Sequence, residues 1–206
     1  MSGAATPAQH RKIARVAGAI LFGIAAAEGI PFVLLLPSLW RALVKPQSLG
    51  AMIAAGAIAV AYIVVSARNP GVRRHLADRS WLRVPAVLVA VIAGVFEEVF
   101  FRRWFMDTLQ AHGVGIVGQV LLSGAFFGAV HAVWGFRAGW GVAGSVAGVT
   151  GALGTALAIL YAADGRVVVP CIVAHVIIDL VLEPALILNA VEAGFARRNS
   201  WWVEPG

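Results

Sequence analysis

The sequence predicts an all-α fold: a polytopic membrane bundle of about six transmembrane helices, with both termini cytoplasmic. Three observations carry that expectation. Hydrophobic residues make up 60% of the 206 and charged residues only 13%, where an ordinary soluble domain carries about 25% charged. A mean hydropathy of +0.86 means more apolar surface than one core of this size hides from water, so lipid must solvate much of it. Apolar stretches long enough to cross a bilayer, about 20 residues each, recur along the chain. The composition excludes intrinsic disorder, and 1–206 reads as a single membrane-embedded domain.

The stretches run over about 13–40, 49–67, 84–111, 117–136, 140–163 and 167–190. In the first, Arg11, Lys12 and Arg15 precede an apolar run, and Ala25-Ala26-Ala27 resembles a signal-peptidase site. The run continues through Ile30 to Trp40, too long for a signal h-region, so an uncleaved helix is expected. Glu28, Pro31 and Pro37 predict a kink there, or an interfacial stretch. The second segment is bounded by Gln47 and Arg68. Beyond it, Arg68 to Arg83 reads as a solvated cytoplasmic loop touching anionic lipid.

The third segment holds Glu97, Glu98, Arg102 and Arg103, and the fourth holds His131. Gly124 and Gly128 in the fourth form a G-x-x-x-G, as do Gly144 and Gly148 in the fifth. Such faces let helices approach closely, within the bundle or at a homodimer seam. The sixth carries Cys171, His175 and Asp179, and the motif-bearing core spans about 84–190.

With the N-terminus inside, eleven of the sixteen Lys and Arg fall on the inner side, among them Arg68, Arg73, Arg74, Arg79, Arg83, Arg137, Arg197 and Arg198. Arg41, Lys45, Arg102, Arg103 and Arg166 fall outside, and this bias sets the orientation. The net charge of +6 therefore reflects membrane topology and does not imply nucleic-acid binding. One cysteine, Cys171, excludes an internal disulfide framework and a multi-cysteine metal site. Trp40, Trp81, Trp134, Trp140, Trp201 and Trp202 fit interface anchors, and Trp104 fits either an anchor or a cavity wall. The Ala-, Gly-, Val- and Arg-rich usage suits a prokaryotic plasma membrane.

Ionisable residues at mid-span cost about 2.5–3.5 kcal/mol each on insertion scales and mark function by default. Glu97, Glu98, Arg102, His131, His175 and Asp179 must therefore face one another or a wet cavity. Successive helical residues point about 100° apart, so Glu97 and Glu98 diverge. Glu98 and Arg102 are i,i+4 with the acid first, the favourable order for an ion pair. One carboxylate is thus held structurally and the other is left for chemistry. His175 and Asp179 share a face at i,i+4, and Phe127 stands one turn before His131 to shield or orient it. At 1.5 Å per residue, Glu97 lies roughly 20 Å from the inner end of its helix and His175 roughly 13 Å from the outer end. These are similar heights in a core about 30 Å thick.

Glu97-Glu98-x-x-x-Arg102, Phe127-x-x-x-His131 and His175-x-x-x-Asp179, in this order on separate apolar segments, resemble the CPBP intramembrane proteases. That family includes the type II CAAX prenyl endopeptidases and the bacteriocin-processing or immunity (Abi) proteins. The resemblance implies peptide-bond hydrolysis within the membrane. It implies that Glu97 and His131 activate a water, that Glu98 and Arg102 support the site, and that His175 and Asp179 stabilise the tetrahedral intermediate or help bind a metal. The cofactor it implies is either none or one divalent metal, zinc first, held by Glu97, His131 and His175. Implied partners are membrane lipid and a peptide or protein substrate, C-terminally prenylated peptides included, for a monomer or homodimer. Asp179 departs from the asparagine typical of the prenyl proteases; an ionised aspartate accepts hydrogen bonds but does not donate them.

Blander expectations stand beside these. A buried structural charge cluster would account for Glu97, Glu98 and Arg102, and a core histidine for His131, without chemistry. Cys171, His175 and Asp179 stack at i, i+4 and i+8 and do not converge, so Cys171 is expected to pack rather than attack. Glu28 and Glu183 are expected to face the interface or a cavity without being catalytic. The competing function is a non-enzymatic membrane protein, either an immunity-type binder or a small transporter. An inverted repeat would favour transport, and none is visible.

Overall fold

The computed structural model describes residues 7–43, 45–77, 80–136 and 139–200. Arg79, Arg137, Trp201 and Trp202 lie outside the described residues, as do the side chains of Pro37, Trp40, Arg41, Arg197 and Arg198. Every regular element among the described residues is helical: α1 Pro7–Leu43, α2 Leu49–Ala67, α3 Pro70–His75, α4 Arg83–Ala111, α5 Ile116–Phe136, α6 Trp140–Ala163 and α7 Val169–Ser200. All but α3 are long and apolar enough to span a membrane. The protein is an all-α integral membrane protein with six candidate spans, as expected.

Two ends run further than the apolar pattern marked. α1 is helical from Pro7, through Ala25-Ala26-Ala27 without a break, and α7 reaches Ser200. Pro31 and Pro184 do not end their helices. Pro184 has no N–H to give the carbonyl of Leu180, and Arg83 donates to that carbonyl at 3.3 Å.

The solvated loop expected at Arg68–Arg83 is partly a helix. Asn69 caps α3 by accepting from Gly71 N–H at 2.8 Å, with Pro70 in the first turn, where its fixed φ suits helix entry. Gly71 and Val72 are buried, and a Cβ on Gly71 would fall on the Asn189 side chain of α7. His75 Nε2 then meets Glu192 at 3.1 Å. The Asn69 cap and Pro70 define the start of this helix, and its buried residues pack on α7.

Glycine sets the closest approaches. A Cβ at Gly94 would collide with Val176, so α4 and α7 touch backbone to side chain. One turn beyond Gly94 comes Glu98, and beside Val176 comes His175. Gly124 and Gly128 of α5 likewise lie against Thr155, Ala147 and Gly151 of α6. The other G-x-x-x-G is corrected: Gly144 and Gly148 face open space and do not pack inside the bundle.

α4 is not α-helical throughout. Val99–Met106 forms a π-helical segment directly after Glu98. Ser123 of α5 donates to the Phe101 carbonyl within it at 3.2 Å, tying the widened turn to the neighbouring span. Wide turns of this kind recur at functional sites.

Candidate active site

Glu98 is fully buried, as is Arg102, and Arg102 Nε lies 3.0 Å from Glu98 Oε2. The i,i+4 pair expected from spacing is therefore formed. Arg102, an outer-side charge by its place in the sequence, lies instead inside the bundle. Its guanidinium stands 5.0 Å from the Phe127 ring centroid and 5.9 Å from that of Phe101, where the ring faces attract a cation.

The second oxygen of Glu98 reaches His175 Nδ1 at 2.8 Å. This contact joins residues 77 positions apart, and the approach of Gly94 to Val176 makes it possible. Nδ1 is occupied by a carboxylate, so Nε2 is the nitrogen His175 turns to the cavity. It lies 3.4 Å from Asp179 Oδ2 and 3.9 Å from Glu97 Oε2.

Glu97 points the other way round the helix, as the 100° rotation requires. Its Oε2 is 3.6 Å from His131 Nε2. His131 Nδ1 sits 2.8 Å from the Phe127 carbonyl one turn back, and the Phe127 ring stacks on the imidazole at 4.3 Å. The same ring meets His175 edge-on at 5.8 Å. Phe127, itself buried, thus touches Arg102 and both histidines and stacks on His131.

Glu97, Phe127, His131, His175 and Asp179 line one cavity of about 380 Å³. The sequence placed this cavity among α4, α5 and α7. Residues of α1, α2 and α6 close it as well, including Glu28, Tyr62 and Thr150. It extends toward the bundle end that carries Asn69, Val72 and Ala193. Glu28 and Glu183 face it. Trp134, expected as an interface anchor, also lines it. Trp81 packs where Gly18 leaves room on α1, and Trp104 stacks on Phe100 at 4.9 Å away from the cavity. Cys171 is buried and donates to the Leu157 carbonyl at 3.3 Å, a packing residue. Tyr62, Ser66 and Asn189 on the cavity wall carried no signal, since isolated polar residues near helix ends are common.

A tetrahedral zinc with bonds of about 2.0–2.2 Å sets its ligand atoms about 3.3–3.5 Å apart. The Glu97–His131 separation of 3.6 Å lies at that limit, and the Glu97–His175 separation of 3.9 Å exceeds it. No three His, Cys, Asp or Glu side chains among the described residues form a set able to hold a metal ion. The donors are right in kind but, as arranged, do not fit a three-ligand metal.

Membrane-length helices that bury carboxylates and imidazoles around one cavity define a helical membrane protein with an internal polar site. The family model described as type II CAAX prenyl endopeptidase Rce1-like matches residues 79–181, half of the chain, which holds all three motifs. The chain belongs to this family of CPBP-type proteases. No curated protein and no solved structure matches it.

Proposed function

We propose that the protein is an intramembrane endopeptidase in which Glu97 and His131 activate the hydrolytic water. The observation that carries this reading is the gap of 3.6 Å between Glu97 Oε2 and His131 Nε2. It is too long for a direct hydrogen bond and suits one water held by both. His131 Nδ1 is spent on the Phe127 carbonyl, so Nε2 is free to accept from that water.

The water oxygen attacks the peptide carbonyl carbon as its proton passes to Glu97. The carbonyl oxygen becomes an oxyanion beside His175 Nε2, which donates to it while Glu98 holds the other ring nitrogen. Asp179 orients His175. Collapse breaks the C–N bond, and Glu97 returns the proton to the departing amine. Glu98, Arg102 and Phe127 hold the geometry and do not touch substrate. Both termini are cytoplasmic in this reading, by the excess of basic residues at the cavity end.

The test is cleavage of apolar peptides by the purified protein in lipid, wild type against Glu97→Gln. Loss of general base catalysis is worth about 10²–10⁴-fold, at unchanged abundance in the membrane. Unchanged cleavage by Glu97→Gln would sink the assignment.

A further inference from the structure

Beyond the reacting groups, the cavity carries two more carboxylates, Glu28 from α1 and Glu183 from α7. Neither lies within the segment 79–181 that the family model covers. His175, Asp179 and Glu183 follow at i, i+4 and i+8, so they form a column down one face of α7. Glu28 enters from another helix, and its Oε2 is shut off from solvent with no hydrogen-bond partner among the described residues.

Charge accounting then favours one kind of ligand. Glu28, Glu97, Asp179 and Glu183 are the acids of the cavity, and among the described residues no lysine or arginine lines it. Among the described residues His131 and His175 are the only basic groups on its wall, and Arg102 is committed to Glu98. Two of the four acids face no basic group even with both imidazoles charged; unpaired in an apolar wall such an acid takes up a proton, and it ionises to meet a cation that enters. Inside a span such groups are expensive unless something pairs with them. The remaining walls are mostly apolar, with Ile24, Val65, Val146 and Leu186 among them, and carry the neutral polar side chains Tyr62, Ser66, Thr150 and Asn189.

We infer that Glu28 and Glu183 form a subsite for a basic side chain of the substrate. The inference rests on the proposed peptidase reading and names the substrate class: apolar peptides bearing a lysine or arginine near the cleaved bond. Glu183 is eight residues past His175, about 12 Å along the helix. At about 3.3–3.6 Å per extended residue, the basic residue sits about three to four positions from the scissile bond.

The probes are fluorogenic leucine–alanine decapeptides with one lysine, stepped along the chain, and the same peptides with norleucine, which keeps the length and loses the charge. The full-length protein in lipid should cleave the best lysine peptide about tenfold faster than its norleucine twin, the scale of one partly buried charge pair. The Glu28→Gln, Glu183→Gln double variant should bring that ratio close to one, and Glu28→Asp with Glu183→Asp should restore part of it. A ratio near one in the wild type, or a ratio the double variant leaves intact, overturns the subsite and leaves the peptidase standing. If no peptide is cleaved, the peptidase reading falls. Binding of the same fluorescent pairs to Glu97→Gln protein then decides the subsite: a lysine preference abolished by the two Gln changes upholds it, and equal binding overturns it.

Discussion

At the end of the bundle away from the cavity, Asp107 accepts from the Tyr161 hydroxyl at 3.1 Å and from the Arg166 guanidinium. Arg166 also donates to Gln119 Oε1, and the Gln119 amide donates to the Val114 carbonyl at 2.6 Å. Around Glu97 the same residue types stand apart, with neighbours at 3.6 and 3.9 Å and an Oε2 lacking any hydrogen bond. The first cluster has closed its bonds and fastens α4, α5 and the α6–α7 turn together. The second stands on the Glu98–His175 hydrogen bond and on the Glu98–Arg102 ion pair, whose own atoms Glu98 Oε2 and Arg102 Nε form no hydrogen bond. Polar residues in lipid are informative by what they leave unbonded, and five substitutions separate the two arrangements.

The largest effect is expected where the open site is touched without disturbing its supports. Glu97→Gln should lower peptide cleavage by about 10²–10⁴-fold with wild-type abundance. Glu98→Gln, one residue on, should reduce abundance and activity together but only in part, since its one amide oxygen still accepts from either His175 or Arg102. If both variants lose folding equally, measured by retained monodisperse protein after extraction, the open cluster is merely structural.

Next comes the closed support. Arg102→Met leaves the fully buried Glu98 without its cation, and breaking one side of a buried pair costs about 3–5 kcal/mol. Thermal unfolding in detergent should show a large drop. A variant as stable as wild type would mean that Glu98 needs no cation beyond His175.

Arg166→Ala should cost much less. Arg166 and Asp107 are 22% and 42% exposed at their side chains, and pairs of that kind contribute about 0.2–1 kcal/mol. Arg166 also sits at a φ of 63°, a left-handed conformation that alanine adopts no more easily, so the backbone gives no compensation. Cleavage should be unaffected, because this network lies away from the cavity. Activity lost with stability intact would tie the two clusters together.

Much of this contrast was legible in the residues themselves. Six spans follow from apolar length, and the Glu98–Arg102 pair and the divergence of Glu97 follow from helical rotation alone. Their approach to His131 and His175 was only permitted by depth. What made it happen, the Gly94–Val176 and Gly124–Gly151 contacts, depends on which glycine faces inward, and periodicity did not distinguish these from Gly144 and Gly148. The π segment was invisible because apolar residues in Val99–Met106 fit either winding. The Asp107–Arg166 contact joins residues 59 apart, beyond any local pattern. Arg68–Arg83 read as loop because its charges outweighed two signals, the Asn69 cap and Pro70.

The smallest effect is expected at Asp179, and it bears on the mechanism most directly. Its Oδ2 stands 3.4 Å from His175 Nε2 and its side chain is only 13% exposed. As a carboxylate it can orient the imidazole but has no hydrogen to give the oxyanion. An asparagine at the same place keeps the oxygen toward His175 and adds an N–H toward the cavity. In the proposed water-based mechanism Asp179→Asn should therefore retain activity within a few-fold of wild type, or exceed it, and added chelator should change neither enzyme. The contrary mechanism has a different signature. Were a metal assembled here on substrate binding, the carboxylate would be a ligand or a partner of one, and its loss would cost about 10–100-fold in metal affinity or activity. A tenfold or larger loss in Asp179→Asn that added zinc restores would replace the Glu97–His131 water with a metal-bound one. Activity that survives both the substitution and the chelator leaves the acid and the two imidazoles to do the chemistry.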